Sequence, residues 1–383
     1  MKGLLRPRTL AWIALVLTLI FFPYFHTWTG FAWFLGNLQK YTGINLSVFE
    51  VTSFAVWVVI LLGLNMLTGY SGQISLGHGA LVAVGAYITA ILLDRTGTPV
   101  AVAILAGGIG ASIVGFGIGI PALRLSGPYL AIATLALIVS LPQLLKLSDI
   151  VNIAKYTGGA SGLDLPTMHA PEAVDGVMDD RQWLYYSTMV PAVIMTVLAW
   201  NIIRSRIGRA FIAIRDSEIG AQQMGVNVAR YKTLAFGLSS LYAGIGGGLF
   251  VYTQDFVSPE SFGTFQSITL LVAIVIGGLA SILGSILAAA FFVFQAGVIS
   301  ELADNLPAVD RLRWAIYGTV LILVMIFLPG GASGFVQRIG RLKKSDLAAN
   351  VRSPLAALRA HPIIQKVTGA SSGAPEDGPG TGA

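Results

Sequence analysis

The sequence has no cysteine, which excludes disulfides, thiolate metal sites and cysteine nucleophiles. It also has little charge, because Asp, Glu, Lys and Arg make up 11% of its 383 residues, whereas a soluble domain carries about 25%. Apolar residues make up 55%, and the mean hydropathy is +0.76. This composition predicts a polytopic membrane protein whose surface is largely in contact with lipid.

Ten apolar segments have lengths close to that of a membrane span, and none contains Asp, Glu, Lys or Arg. They lie near residues 9–25, 51–67, 79–93, 99–120, 128–145, 185–203, 233–252, 266–283, 285–300 and 314–328. We therefore expect an all-α bundle of about ten transmembrane helices within residues 9–345. Residues 1–8 are expected to be a basic N-terminus, and residues 346–383 a largely disordered tail, because they are rich in small and polar residues.

Basic residues predict the orientation of the bundle. Segments 1–8, 121–127, 204–232 and 329–383 together hold 17 of the 24 Lys and Arg but 5 of the 18 Asp and Glu. Cytoplasmic segments of membrane proteins are enriched in Lys and Arg, so these segments and both termini are expected in the cytoplasm. The loop 146–184 then lies outside, where it is long enough to meet a partner.

The loop 204–232 carries six basic and two acidic residues between two apolar spans. Its middle shows helical periodicity, which predicts one helix over 209–224 that ends at Gly225, a residue that can take a left-handed conformation. Small residues form one stripe of this helix: Ala210, Ala213, Ile214, Ser217, Ala221 and Met224. A helix of this kind at the cytoplasmic surface is typical of a docking element, and the alternative is a solvated connector on the lipid headgroups.

The chain lacks the groups that power transport or catalysis. The expected spans hold no Asp, Glu, Lys or Arg that could relay protons through a membrane, which leaves His78, at the border of the span 79–93, as the candidate. No lysine follows a glycine, which excludes a P-loop, and the four histidines have no metal-site spacing. No catalytic pair is present, and the positive charge lies at membrane borders, which argues against nucleic-acid binding. We expect a passive pore or a subunit driven by a partner, and an intramembrane enzyme is disfavoured.

The segment 64–80, LNMLTGYSGQISLGHGA, combines four glycines with several polar side chains. Each glycine weakens a helix by about 1 kcal/mol, so a broken helix is expected near 69–80. Polar side chains are costly against lipid, and they therefore face either a transport pathway or the bundle interior. The pathway candidates are Tyr70, Gln73, Ser75 and His78. Packing between helices is the alternative, and it is favoured for Ser71 and Ser75. A second interruption at 277–285 suggests an internal repeat.

An ordered series of motifs runs from about residue 55 to about residue 330. The motifs are GYSGQISLGHGA at 69–80, GAY at 85–87, GPYLAIATLA at 127–136, TGGASGL at 157–163, the loop at 205–232, SPESF at 258–262 and IGGLASILGS at 276–285. In this order and spacing they resemble the LivM-type permease subunit of branched-chain amino-acid ABC importers. The loop resembles the family's Glu-x-Ala-Ala-x-x-x-Gly core, except that Gly220 replaces an alanine. Ala280 replaces the third glycine of the family's Gly-Gly-x-Gly run.

The resemblance implies an ABC importer permease fold in a bacterial inner membrane, with no cofactor of its own. It implies a second homologous permease, two cytoplasmic ABC ATPase subunits and an extracytoplasmic substrate-binding protein as partners. The loop 204–232 would couple the chain to the ATPase, and the residues implied are Arg209, Arg215, Glu218, Ala221, Met224 and Gly225. A urea or short-amide importer permease is the alternative of the same superfamily, and a passive channel is the alternative of another class.

Overall fold

The structure is a computed structural model of the chain. It describes residues 22–24, 47–122, 128–146, 153–165, 170, 178–305, 319 and 331–334. All of these except Gly334 belong to one compact unit, Met1–Ser333. The expected tail at 346–383, the N-terminus at 1–8 and most of the expected spans at 9–25 and 314–328 lie outside the described residues.

The described chain is almost entirely helical. Its elements are α1 (Val48–Leu64), a π-helix (Asn65–Tyr70), α2 (His78–Thr96), α3 (Val100–Ala122), α4 (Pro128–Leu145), α5 (Ile153–Thr157), β1 (Leu163–Asp164), α6 (Asp180–Arg204), α7 (Arg206–Asp216), α8 (Glu218–Gln223), α9 (Val228–Gln254), β2 (Phe256–Val257), α10 (Thr264–Gly277) and α11 (Ile282–Asn305). Short 3-10 turns lie at Gly159–Ser161 and Pro259–Phe262.

Helices occupy each of the eight expected spans between residues 51 and 300. Among the described residues, six helices are long and apolar enough to cross a membrane, and two shorter apolar helices, Tyr129–Leu145 and Ile282–Phe294, accompany them. The polytopic all-α architecture that the composition predicts is therefore confirmed.

The helix α9 lies at the centre of the bundle, where it packs against α1, α2 and α3. Glycines allow this close approach. A Cβ atom on Gly244 would lie 2.9 Å from the Gly108 Cα and 2.7 Å from the Gly107 carbonyl oxygen, and a Cβ on Gly85 would overlap Gly244. Small residues of this kind let helix backbones approach one another inside a membrane, where packing drives association.

The ends of the bundle differ in structure. At one end, which we call the sheet end, β1 pairs antiparallel with β2 and joins the loop 146–184 to the end of α9. An ion pair at the same end joins Lys146 to Glu260 at 3.3 Å. The short helices α7 and α8 connect α6 to α9 at the other end, which we call the basic end.

Helical structure is interrupted at two places between consecutive apolar helices. The π-helix ends at Tyr70, residues 71–77 are not helical, and α2 begins at His78, which confirms the break expected near 69–80. A second break separates α10 from α11 at residues 278–281. Gly72, Gly278 and Ala280 have φ angles of 74°, 113° and 54°, so both breaks contain left-handed or related backbone.

Candidate functional site

The two breaks lie against each other, and Asn65 of the π-helix joins them. Its side-chain amide donates to the Ser281 carbonyl oxygen and to the Ser285 hydroxyl, each at 2.8 Å. Its side-chain oxygen accepts the backbone N–H of Ala280 at 2.9 Å. A helix end leaves backbone groups without intrahelical partners, and Asn65 satisfies two such groups at the second break. We call Asn65–Gly77 together with Gly277–Ser285 the junction.

The junction has little space for side chains at its glycines. A Cβ atom on Gly69 would overlap the Asn65 side chain and would lie 2.5 Å from the Ala280 nitrogen. A Cβ on Gly331 would lie 2.5 Å from the Gly278 Cα. Ala280 takes a positive φ angle although it is not glycine. The resemblance described above expects glycine at this position, and a left-handed backbone is the conformation that glycine adopts without strain.

The non-helical residues 71–77, which we call the polar segment, and the first turn of α2 are held by several helices. The Leu76 N–H donates to the Thr134 hydroxyl at 3.0 Å, and the Gly79 N–H donates to the Ser267 hydroxyl at 2.8 Å. The His78 Nε2 atom lies 3.1 Å from the Ile60 carbonyl oxygen. Side chains of α4 and α10 thus supply the hydrogen bonds that this stretch cannot make within itself.

All four pathway candidates are buried inside the chain. Tyr70, Gln73, Ser75 and His78 are closed off from its surface, and Ile74 is the apolar residue of the polar segment that is exposed, at 46%. The Ser71 hydroxyl donates to the Leu67 carbonyl oxygen at 2.8 Å, as expected for a packing role. Lining of a transport pathway by the four candidates remains a prediction.

Three polar atoms of this stretch have no hydrogen-bond partner among the described residues. They are Oε1 of Gln73, Oγ of Ser75 and Nδ1 of His78. Buried polar groups are nearly always paired, because leaving one unpaired costs about 1–3 kcal/mol. The stretch therefore has hydrogen-bonding capacity that the described residues leave unused.

The loop 204–232 contains two helices, and the expectation of one helix over 209–224 is wrong. Ser217 is extended, with φ −163° and ψ 115°, and it separates α7 from α8. Its hydroxyl accepts the Gly220 N–H at 3.1 Å and so caps α8. Serine favours this capping arrangement over a helix interior, which is the physical reason for the break. Gly225 follows α8 with a φ angle of 80°, which confirms the expected left-handed stop.

The small-residue stripe is divided: Ala210, Ile214 and Ala221 face the chain itself, whereas Ser217 and Met224 are exposed. Ala221, which is 2% exposed, packs in one cluster with Ile214 and Val228. The outward side of α8 and its C-cap is apolar through two larger residues, Ile219 at 74% exposure and Met224 at 86%. The inward position of Ala221 corrects the expectation that the whole stripe is a docking surface, and Met224 is its exposed apolar member.

Two cations hold α7 and α8 in place. The Arg215 guanidinium donates to the Gly69 carbonyl oxygen at 3.2 Å and pairs with Asp216 at 3.0 Å. The Lys232 ammonium pairs with Glu218 at 2.6 Å. Arg209 is exposed, and its guanidinium donates to the Arg204 carbonyl oxygen at 3.2 Å. Of the basic coupling candidates, Arg215 therefore contacts the junction and Arg209 faces outward.

Asn65 and Lys232 were not singled out by sequence reasoning. Asn65 is the one side-chain amide in residues 48–70, which is a signal that could have indicated it. Lys232 directly precedes the expected span at 233–252, so it counts as a loop charge in the sequence although α9 begins at Val228 and buries it. No cluster of His, Asp or Glu that could hold a metal ion occurs among the residues that the structure describes.

Comparison with known protein families identifies one that matches most of the chain. A family model described as "Branched-chain amino acid transport system / permease component" matches residues 47–328. The match includes both breaks, the loop 204–232 and all the helices from α1 to α11. No solved structure matches the chain.

Curated relatives agree with the family model. The chain is 33% identical over 297 residues to the high-affinity branched-chain amino acid transport system permease protein LivM of Escherichia coli K12, which covers 72% of the chain and 67% of that relative. It is 23% identical over 309 residues to the LivH permease protein of Salmonella typhimurium, covering 77% of the chain and 94% of the relative. The autoinducer 2 import system permease protein LsrC of Escherichia coli O9:H4 is 29% identical over 138 residues, or 35% of the chain and 40% of the relative.

Proposed function

Because this chain belongs to the permease family of branched-chain amino acid transport systems, we propose that it is a transmembrane subunit of an ATP-driven importer for branched-chain or related amino acids. As a permease subunit it is not an enzyme, and ATP hydrolysis takes place on a partner chain. It crosses the membrane several times. The names of the LivM and LivH relatives support the cargo, although the likeness to LsrC shows that a related sequence serves another ligand.

The proposed assembly contains four kinds of subunit. The chain is similar both to LivM and to LivH, and this supports pairing with a second, homologous permease. Two cytoplasmic ATPase subunits would bind the basic end, and an extracytoplasmic substrate-binding protein would bind the sheet end. The excess of Lys and Arg in the loop 204–232 supports this orientation in the bacterial inner membrane.

The orientation can be tested by labelling, because the chain has no native cysteine. Asp175→Cys should react with an impermeant thiol reagent in intact cells. Lys343→Cys should react only after the membrane is permeabilised. Equal labelling of both variants in intact cells would contradict the orientation.

The observation that carries the proposed coupling role is the outward face of α8. Ile219 and Met224 are the most exposed large apolar residues in the part of the chain that the structure describes, although they lie in a loop with dense charge. The helix α8, which holds Ile219 and ends before Met224, is fixed on its other side by Ala221 and by the ion pair between Glu218 and Lys232. Burial of each exposed side chain in a partner would contribute about 1.5–3 kcal/mol. A helix that is fixed on one side and exposes apolar residues on the other is suited to bind in a groove on a cytoplasmic protein.

Co-purification tests this role. The chain would be expressed together with the neighbouring reading frames, and the ATPase that purifies with it would be quantified. Ile219→Ser combined with Met224→Ser should lose the ATPase, because the double variant removes the apolar contact and retains the charge of the loop. Phe49→Ser is the matched control, since Phe49 is an exposed apolar residue on the first turn of α1. Full retention of the ATPase by the double variant would refute the docking role of α8.

A further inference from the structure

We propose that Arg215 and Lys232 are positioning residues that attach α7 and α8 directly to the π-helix and the polar segment 71–77. A displacement of the loop by the ATPase would then move this part of the junction, in addition to any rigid-body rotation of the bundle. The inference rests on the proposed function, because it requires an ATPase that displaces α8.

Arg215 makes the first attachment. Its guanidinium donates to the Gly69 carbonyl oxygen at 3.2 Å, at the end of the π-helix. Gly72 packs against the stem of the same arginine, because a Cβ atom there would lie 2.9 Å from the Arg215 Cγ. The φ angle of Gly72 is 74°, which glycine adopts without strain. The polar segment thus turns around the Arg215 side chain.

An apolar cluster strengthens this attachment. Phe211 of α7 is fully buried, and it belongs to one cluster with Leu67 and Tyr70 of the π-helix. Its ring also meets Tyr231 of α9 edge-on, with 6.4 Å between the ring centroids. Since α7 contacts the π-helix through both a charged and an apolar side chain, the two elements cannot separate without exposing buried surface.

Lys232 makes the second attachment. The residue is 8% exposed, and its ammonium lies 2.6 Å from the Glu218 carboxylate of α8. Its backbone carbonyl accepts a long hydrogen bond, 3.4 Å, from the Gln73 amide, which also donates to the Ser71 hydroxyl at 2.9 Å. A buried ammonium is costly without its partner, so Glu218 and Lys232 are expected to stay together when α8 moves. One residue therefore connects α8 with the polar segment.

The polar segment is suited to a change of position. It has no helical hydrogen-bond ladder, and Gln73 and Ser75 each carry a buried polar atom without a partner among the described residues. A position in which these atoms have partners would be favoured over one in which they have none. Asn65 would pass the displacement onward, because it lies on the same π-helix as Gly69 and bonds the turn at 280–285.

The first test uses the complete importer in lipid vesicles and measures leucine uptake and ATP hydrolysis stimulated by the loaded binding protein. Lys232→Met and Arg215→Gln should retain the ATPase but lose about tenfold in stimulated hydrolysis and uptake, a size typical of coupling between sites. The double variant Glu218→Lys with Lys232→Glu should recover part of the coupling. Arg230→Gln is the matched control, because this exposed arginine has the same charge and lies in the same loop.

A distance measurement separates positioning from a merely structural role. Spin labels would be placed through cysteines at Ile74 in the polar segment, Gln223 at the end of α8 and Val102 near the sheet end, all of them exposed. On binding a non-hydrolysable ATP analogue, the distance between Ile74 and Val102 should change, while that between Ile74 and Gln223 stays constant. In Lys232→Met, the distance between Ile74 and Gln223 should change instead.

The outcomes distinguish the two proposals. If no ATPase purifies with the unaltered chain, the proposed function and the inference both fail. If the ATPase is retained and both Lys232→Met and Arg215→Gln transport normally, the inference alone is overturned. The same conclusion follows if the analogue changes the distance between Gln223 and Val102 but leaves that between Ile74 and Val102 unchanged.

Discussion

Replacing Asn65 with leucine would test whether the junction holds the two broken elements together. The substitution keeps the side chain at a similar volume and removes all three hydrogen bonds to residues 280–285. The Ser281 carbonyl oxygen would still accept the Ser285 N–H at 3.0 Å, within α11 and its first turn. The Ala280 N–H would be left without a partner, because Asn65 supplies the one acceptor that the structure describes for it.

The size of the effect follows from these contacts. An orphaned buried N–H costs about 1–3 kcal/mol. Hydrogen bonds between transmembrane helices contribute about 0.6 kcal/mol each on average, so the other two bonds are a smaller part of the loss. We therefore expect Asn65→Leu to lower the free energy of unfolding by about 2–4 kcal/mol. Leucine would also meet Gly69, which leaves no room near the Asn65 side-chain oxygen.

Unfolding in mixed micelles with increasing SDS, followed by tryptophan fluorescence, would measure this change. Trp57 of α1 is a suitable reporter, because its ring lies 4.3 Å from the Phe292 ring of α11. Thr68→Val is the matched control on the same π-helix, since it removes a single hydrogen bond of 3.3 Å to the Gln73 carbonyl oxygen. The reasoning is refuted if Asn65→Leu unfolds at the same SDS fraction as the unaltered chain or as Thr68→Val.

Three further substitutions test other features of the structure. Ala280→Gly should stabilise the chain by up to about 1 kcal/mol in the same unfolding assay. It relieves about 1–2 kcal/mol of strain in a left-handed alanine, but the greater conformational entropy of glycine in the unfolded chain offsets part of this gain. A lower stability would contradict the left-handed turn. Gly244→Val should prevent recovery of a monodisperse protein by gel filtration, since even a Cβ atom there would lie 2.7 Å from the Gly107 carbonyl oxygen. Gly117→Ala is the control and should have no effect, because no atom lies within 4 Å of a Cβ at that position. Gly225→Val should fold, because space is open at that position. Strain of about 1–3 kcal/mol at a φ angle of 80° should nevertheless displace α8 and abolish substrate-stimulated ATP hydrolysis. Normal stimulation would show that Gly225 does not position the helix.

Local patterns in the sequence predict the local features of this fold and miss its long-range contacts. Apolar runs predict the spans, the glycines at 69–79 predict the first break, and Gly225 predicts the end of α8, because each depends on neighbouring residues. Helical periodicity continues across Ser217, so it does not reveal that the serine turns outward to cap a new helix. It also gives Ala221 a place on a stripe without saying which way the stripe faces. The contact between Arg215 and Gly69 joins residues 146 positions apart, and only the packing of α7 on the π-helix creates it.

The junction also explains how the chain satisfies the backbone groups of its two breaks. Each break frees N–H and C=O groups that the neighbouring helices do not pair, and such groups are costly when they are buried. Here the turn at 280–285 is satisfied by Asn65 from the first break, and the first break is satisfied by hydroxyls such as those of Thr134 and Ser267. Neither break can be repaired or removed alone without orphaning groups in its neighbours. The basic end reaches this shared structure at Gly69, on the same short π-helix as Asn65. A displacement of α7 that moves Gly69 must therefore either carry Asn65 and the turn before α11 with it or break the hydrogen bonds between Asn65 and that turn. The variants at Arg215 and Asn65 interrupt this series of contacts at its opposite ends.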